Sequence, residues 1–82
     1  MIDFDGPVPV YRQLAAILRA RIEAGDIRPG EPVPSKRAAR REFGVGGHTF
    51  DRAAAVLRSE GLIETVPGRG LYVRGRPGGG LV

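Results

Sequence analysis

Arginine carries most of the chemistry available to this chain. Of the 13 basic residues, Lys36 is the lone lysine, and the basic side chains gather in two stretches. One follows Ser35 and holds Lys36, Arg37, Arg40 and Arg41. The other is Arg69 between Gly68 and Gly70, with Arg74 and Arg76 beyond. A guanidinium is a planar fork that pairs bidentately with phosphate, which lysine cannot do. Ser35 precedes an apolar-periodic segment, where its hydroxyl accepts a backbone N–H and the helix start adds N–H groups suited to an anion. Other chemistries lack their parts. With no cysteine and a single histidine, His48, the chain has no disulfide framework, no Cys-ligated zinc and no His-pair metal site. No nucleophile stands with a base, and there are no paired catalytic carboxylates and no phosphate loop. The sequence reads as that of a binding module without cofactor or metal, and not of an enzyme.

Eighty-two residues allow one small domain, which buries roughly 60–65% of its unfolded surface. The net charge is +4, but its distribution says more. Residues 1–10 carry −2 through Asp3 and Asp5, residues 35–44 carry +3, and residues 62–82 carry +2. A nucleic-acid partner therefore requires a fold that brings the two basic stretches onto one face. No apolar run is long enough to span a membrane. The start, Met1-Ile2-Asp3-Phe4-Asp5, lacks the basic-then-apolar order of a signal peptide. A soluble, cytoplasmic domain is expected.

The elements that must position these side chains follow from periodicity. Residues 1–8 form a lead-in stiffened by Pro7, with Pro9 next. From Val10 to about Ala24, Tyr11, Leu14, Leu18 and Ile22 make a helical stripe widened by Ala15 and Ile17, and Gly25 ends it. Ile27 and Val33 can pin the following connector to the core. Pro32 and Pro34 limit it to a short edge strand at most. A second helix runs from Ser35 as its cap to about Phe43, and Gly44-Val45-Gly46-Gly47 turns the chain. A third helix spans about His48 to Glu60, with Phe50, Ala53, Ala54 and Leu57 as its buried face and Gly61 as its stop. The period then changes. Leu62–Val66 and Leu71–Val73 read as strands around the turn Pro67-Gly68-Arg69-Gly70. Tyr11, Phe43, Phe50 and Tyr72 read as core residues. Residues 74–82 are Gly-rich and are expected to be a flexible tail or linker.

A helix, a helix pair joined by a Gly-containing turn, and a basic-tipped hairpin make the plan of a winged helix-turn-helix. The fold class is mainly α with a small β-hairpin, three helices and a C-terminal wing. In that plan the third helix enters the major groove and the wing reaches phosphates or the minor groove. The wording of the sequence carries the reading further. Pro9-Val10-Tyr11-Arg12-Gln13-Leu14, Ala24-Gly25-Asp26-Ile27-Arg28-Pro29-Gly30, Val33-Pro34-Ser35, Phe43-Gly44-Val45, Leu57-Arg58-Ser59-Glu60-Gly61-Leu62-Ile63-Glu64 and Pro67-Gly68-Arg69-Gly70-Leu71-Tyr72-Val73 stand in order over about residues 9–73. They resemble the DNA-binding domain of GntR-family bacterial transcription regulators. The resemblance implies a winged helix that binds palindromic operators as a dimer, usually followed by an effector-binding, dimerising domain. It also implies that Arg37 contacts phosphate.

Departures from the family wording fall in the third helix and at the start of the second. Where the family writes Ser-Arg-x-Thr-Val-Arg, this chain has Gly46-Gly47-His48-Thr49-Phe50-Asp51. Gly47 thus replaces an arginine expected to read guanine, and Asp51 one expected near phosphate. Good base contacts are worth ~1–3 kcal/mol each, so the loss is substantial. In the second helix Ser35-Lys36-Arg37-Ala38 replaces Ser-Glu-Arg-Glu, which removes a capping carboxylate and adds positive charge. The expectation is DNA binding with altered sequence preference. Ser35, Lys36, Arg37 and the wing residues Gly68, Arg69 and Gly70 would meet the backbone. Base readout falls to Thr49, to His48 (which could instead only cap the turn) and to Asp51, which can accept from a cytosine amino group. Arg52 would be peripheral, near phosphate. Arg40 and Arg41 read as solubilising or Glu-paired, with DNA contact as the alternative. Double-stranded DNA is the expected partner, with a homodimer that pairs on DNA. The alternative is a winged-helix adaptor that binds a protein partner, motivated by the arginine-poor third helix. The chain could also be the N-terminal piece of a longer regulator.

Overall fold

The computed structural model describes residues 2–75. The Gly-rich segment from residue 76 onward lies outside the described residues. Three helices, α1 (Val10–Glu23), α2 (Lys36–Phe43) and α3 (Gly47–Ser59), precede two antiparallel strands, β1 (Ile63–Val66) and β2 (Gly70–Val73). This is the winged helix-turn-helix order. Element limits differ from the periodicity reading by a residue: Gly47 is the first residue of α3 and not the last of the turn, and β1 starts at Ile63 and not Leu62.

Helix ends are closed by backbone chemistry. After α1, Gly25 adopts φ +84°, its N–H donates to Ile22 O and that of Asp26 donates to Arg21 O. Gly61 (φ +77°) repeats the arrangement after α3, with Gly61 N–H donating to Arg58 O and Leu62 N–H to Leu57 O. Both are Schellman closures, which need a left-handed residue and satisfy otherwise orphan carbonyls. Ser35 caps α2 as expected, its Oγ accepting from Ala38 N–H at 3.1 Å. Gly46 occupies the N-cap of α3 without any side-chain bond.

The core is built on α1 and α3, whose contact is the most extensive between elements. Leu14 and Leu18 of α1, Leu57 of α3 and Ile63 of β1 are the largest fully buried side chains. Phe50, Ala53 and Ala54 complete the buried face of α3. Ile2 is also buried, so the N-terminal stretch does more than lead into α1. It is clamped by Gln13, whose Nε2 donates to Asp3 O and Val8 O and whose Oε1 accepts from Asp3 N–H.

The hairpin pairs Ile63 with Val73 and Val66 with Gly70. The connector supports it. Gly30 N–H and Val33 N–H donate to Val73 O and Leu71 O, and Val73 N–H donates to Glu31 O. Only one bridge, Pro32 to Tyr72, results. Pro32 and Pro34 have no N–H, so a full third strand cannot form around Val33. At the tip, Arg69 N–H donates to Val66 O, with Pro67 and Gly68 (φ +76°) as the central turn residues. That is the residue pattern of a type II turn.

Two exposed ion pairs tie α1 to its neighbours. Arg19 meets Glu60 at 2.7 Å, and Arg21 meets Glu42 while lying over the Phe43 ring.

Leu57→Ala should lower unfolding stability by about 2–5 kcal/mol, the range for truncating a fully buried leucine, seen as a lower denaturant midpoint at unchanged slope. The carboxyls of Glu42 and Glu60 are held below the usual glutamate range by hydrogen bonds from Arg21 and Arg19. A depressed folded pKa adds stability that is complete above the ordinary value of 4.5 and is lost as pH falls through the lowered one. Exposure and salt keep this contribution small. Thermal midpoints at low salt should therefore decline below that pH, and Glu60→Gln should flatten part of the decline.

Candidate nucleic-acid interface

With its apolar face fixed against α1, α3 presents the opposite side to solvent. Gly47, His48, Asp51, Arg52, Ala55 and Arg58 are exposed there. At 100° per residue, Asp51 and Ala55 lie near the middle of this stripe, and Gly47 sits one turn before Asp51. Thr49 is half-buried and falls on the flank with Ala53 and Val56, off that stripe. Arg52 lies on the edge toward α1, its guanidinium 4.1 Å from the centroid of the Tyr11 ring. That stacking accounts for Arg52 within the domain and gives Tyr11 a polar-facing side.

The helix-turn-helix brings the start of α2 beside the start of α3. Lys36 Nζ stands 3.1 Å from Asp51 Oδ1, joining the two helices across their exposed surface. Lys36 is thus paired to the carboxylate that the sequence reading set against it. Beside this pair, Lys36, Arg37, Arg40 and Gly47 line a small groove of about 270 Å³. Its walls are cationic, and Gly47 has no side chain to fill it.

On the other flank, the wing and α3 enclose a larger groove of about 490 Å³. Asp51, Ala54 and Arg58 line it from the helix, and Arg69, Gly70 and Leu71 from the wing. Ser35 and Lys36 reach the same groove. The fold thus brings the two basic stretches, separated in sequence by more than a helix, to one surface. Gly68 shapes the tip through its positive φ and has open space around it.

One cation of this surface, Arg58, escapes the sequence reading, and another, Arg40, is read there first as solubilising or Glu-paired. Arg58 projects to the wing groove and its Nη1 donates to Thr65 Oγ1 at 3.3 Å, and Arg40 lines the smaller groove. Helical spacing from Gly47 and Asp51 to Arg58 is the signal that would have located the first.

Comparison with known proteins agrees with this geometry. The model of bacterial regulatory proteins, gntR family, matches residues 10–73. Over 72 residues the chain is 35% identical to the HTH-type transcriptional repressor NagR of Bacillus subtilis (strain 168), covering 88% of this chain and 30% of that protein. It is 36% identical over 69 residues to the mannosyl-D-glycerate transport/metabolism system repressor MngR of Escherichia coli (strain K12), covering 84% and 29% respectively. The chain therefore spans about 30% of the length of these curated relatives. Among solved structures, AraR(DBD) in complex with operator ORX1 is similar at TM-score 0.80 and 32% identity, over 89% of this chain and 94% of that one. YtrA from Sulfolobus acidocaldarius, a GntR-family transcription factor, gives 0.82 and 32%, over 93% and 80%.

Gly47 and Gly44 should respond oppositely to alanine. At Gly47 a Cβ would meet only Lys36 Cδ at 3.7 Å, an ordinary contact, and the backbone is helical. Gly47→Ala should raise stability by about 0.4–1 kcal/mol. Gly44 has φ +72°, so Gly44→Ala should lower stability. Paired denaturant titrations compare the two.

Proposed function

This chain belongs to the gntR family of bacterial regulatory proteins, and from that premise we propose that it is a cytoplasmic, sequence-specific DNA-binding transcriptional regulator that acts as a repressor. It reads the major groove with α3 and touches the backbone or minor groove with the wing. The observation that carries this reading is the convergence of Lys36, Arg58 and Arg69 on the groove beside the exposed stripe of α3. Such a surface offers an element of groove-reading size flanked by Arg58 and Arg69, whose guanidinium groups suit phosphate.

Roles follow from position. Ser35 at the start of α2, with Arg37 and Arg40 beside it, faces phosphates on one side of the groove. Arg69 at the wing tip, between Gly68 and Gly70, and Arg58 face them on the other. His48 and Asp51 stand on the exposed stripe where base edges approach, and Thr49 serves from the flank of the first turn. Arg52 acts on the backbone at most, since it is stacked on Tyr11. A single module of this kind buries roughly 600–1,000 Å² of its own surface on DNA. Two copies on a palindrome supply the affinity that one lacks, so the working unit is a homodimer assembled on its operator. No helix among the described residues is long and apolar enough to cross a membrane.

Selection of the purified chain against a random duplex pool, repeated over a salt series, tests the proposal. An enriched palindrome with affinity falling steeply as salt rises is the expected result. Weak binding without enrichment, vanishing at moderate salt, would overturn it and direct attention to a protein partner. Arg37→Ala should weaken binding to every sequence alike and reduce the salt slope by about 0.9, one phosphate's worth, with the selected motif unchanged.

A further inference from the structure

The Lys36–Asp51 ion pair sits where a base-reading group belongs, and this placement calls for a role. Both side chains are more than half exposed, at 58% and 57%, and they meet at 3.1 Å across the face of α2 and α3. Neither belongs to the core, and an exposed pair of this kind adds little stability. A free carboxylate at the centre of a DNA-facing stripe would repel phosphate. Paired with Lys36 it presents no net charge, only an acceptor and a donor side by side.

We propose that Asp51 and Lys36 form a specificity-determining couple that reads a cytosine–guanine pair. Asp51 accepts from the cytosine N4 amino group while Lys36, kept beside it, donates to O6 or N7 of the partner guanine. This rests on the DNA-reading function proposed above and deepens it by naming the base pair. The choice of cytosine follows from the acceptor-only chemistry of a carboxylate. In the major groove only the cytosine N4 and adenine N6 amino groups donate. Adenine places its N7 acceptor beside N6, opposing a carboxylate, whereas cytosine offers no acceptor next to N4. Gly47, one turn before Asp51, has no side chain, and a Cβ there would meet nothing nearer than Lys36 Cδ at 3.7 Å. Base edges can therefore approach the couple without obstruction. Because the couple is neutral, it contributes to discrimination and hardly to the electrostatic part of affinity.

The test is the substitution Asp51→Asn, which keeps the shape, removes the charge and restores a donor. Random-duplex selection and salt-series titration are run on the 82-residue chain and on the variant. The wild-type motif should contain one position per half-site that prefers cytosine by on the order of tenfold over the other bases. In Asp51→Asn that position should move toward adenine, whose N6 and N7 suit a carboxamide. With Lys36 released to phosphate, the salt slope should steepen by about 0.9. Asp51→Ala should flatten the same position without creating a new preference. If the wild type selects a motif and both variants keep it unchanged, the couple is overturned while the DNA-reading function stands. If the wild type selects no motif at any salt, the function and the couple fail together.

Discussion

The buried contact of α3 against α1 is the constraint on which the rest of the molecule depends. Phe50, Ala53, Ala54 and Leu57 turn one side of α3 inward against a core that includes Leu14 and Leu18. A helix has no freedom to rotate once such a stripe is committed, because every side chain turns with it. Burial of these apolar residues therefore decides which polar ones face outward. The wing is tied to the same core through Ile63 and Val73, both buried, and through the connector bonds from Gly30 and Val33. The distance between the wing tip and α3 is consequently a property of the hydrophobic core. So is the groove between them.

Electrostatics then acts on a surface already shaped. The two carboxylates near α1, Glu42 and Glu60, are engaged by Arg21 and Arg19. Asp51 is engaged by Lys36. Three potentially repulsive carboxylates are thereby matched by cations, which leaves Arg37, Arg40, Arg58 and Arg69 lining or bordering the grooves. An excess of +4 spread evenly over a small domain would give only weak attraction. Cations gathered around one face give it a directed field that net charge alone would not provide.

Much of the fold is legible in the sequence because its signals are local. Helix stripes repeat with the helical period, and Gly25, Gly44 and Gly61 fall where a left-handed residue must end each helix. Ser35 marks a cap by its hydroxyl alone, and Pro67-Gly68 specifies a tight turn with Arg69 at its end. What stays hidden is pairing between elements distant in the chain. Lys36 and Asp51 looked like opposing contributions, one attractive and one repulsive, because nothing local tells that the turn at Gly44–Gly46 brings them to 3.1 Å. Arg52 reads as peripheral, near phosphate, and nothing local tells that Tyr11, on another helix, lies under its guanidinium. Ile2 stands in a short acidic stretch with Phe4 and no helical period marks it, yet it is buried while Phe4 is exposed. Its place depends on Gln13, whose amide is the only local hint and carries no signal by itself.

The departures of α3 from the wording of its family are better understood together than singly. Gly47 alone is a lost side chain, and Asp51 alone is a misplaced charge. Lys36 alone is a surplus cation at the start of α2, where the helix dipole disfavours it. Considered jointly, the positive charge has moved from the third helix to the second and the negative charge the opposite way. In this chain the two exchanged charges meet as an ion pair across the helices. Such an exchange conserves the electrostatic balance of the face while changing which hydrogen-bonding groups point at a base edge. A donor-rich reading stripe becomes one with an acceptor at its centre. Affinity for DNA is carried mainly by contacts to phosphate, which the wing and Arg37 would continue to supply. Sequence preference depends on the groups at the centre of the stripe. A paralogue can therefore acquire a new target by changing a few exposed residues, with the core that orients them left intact.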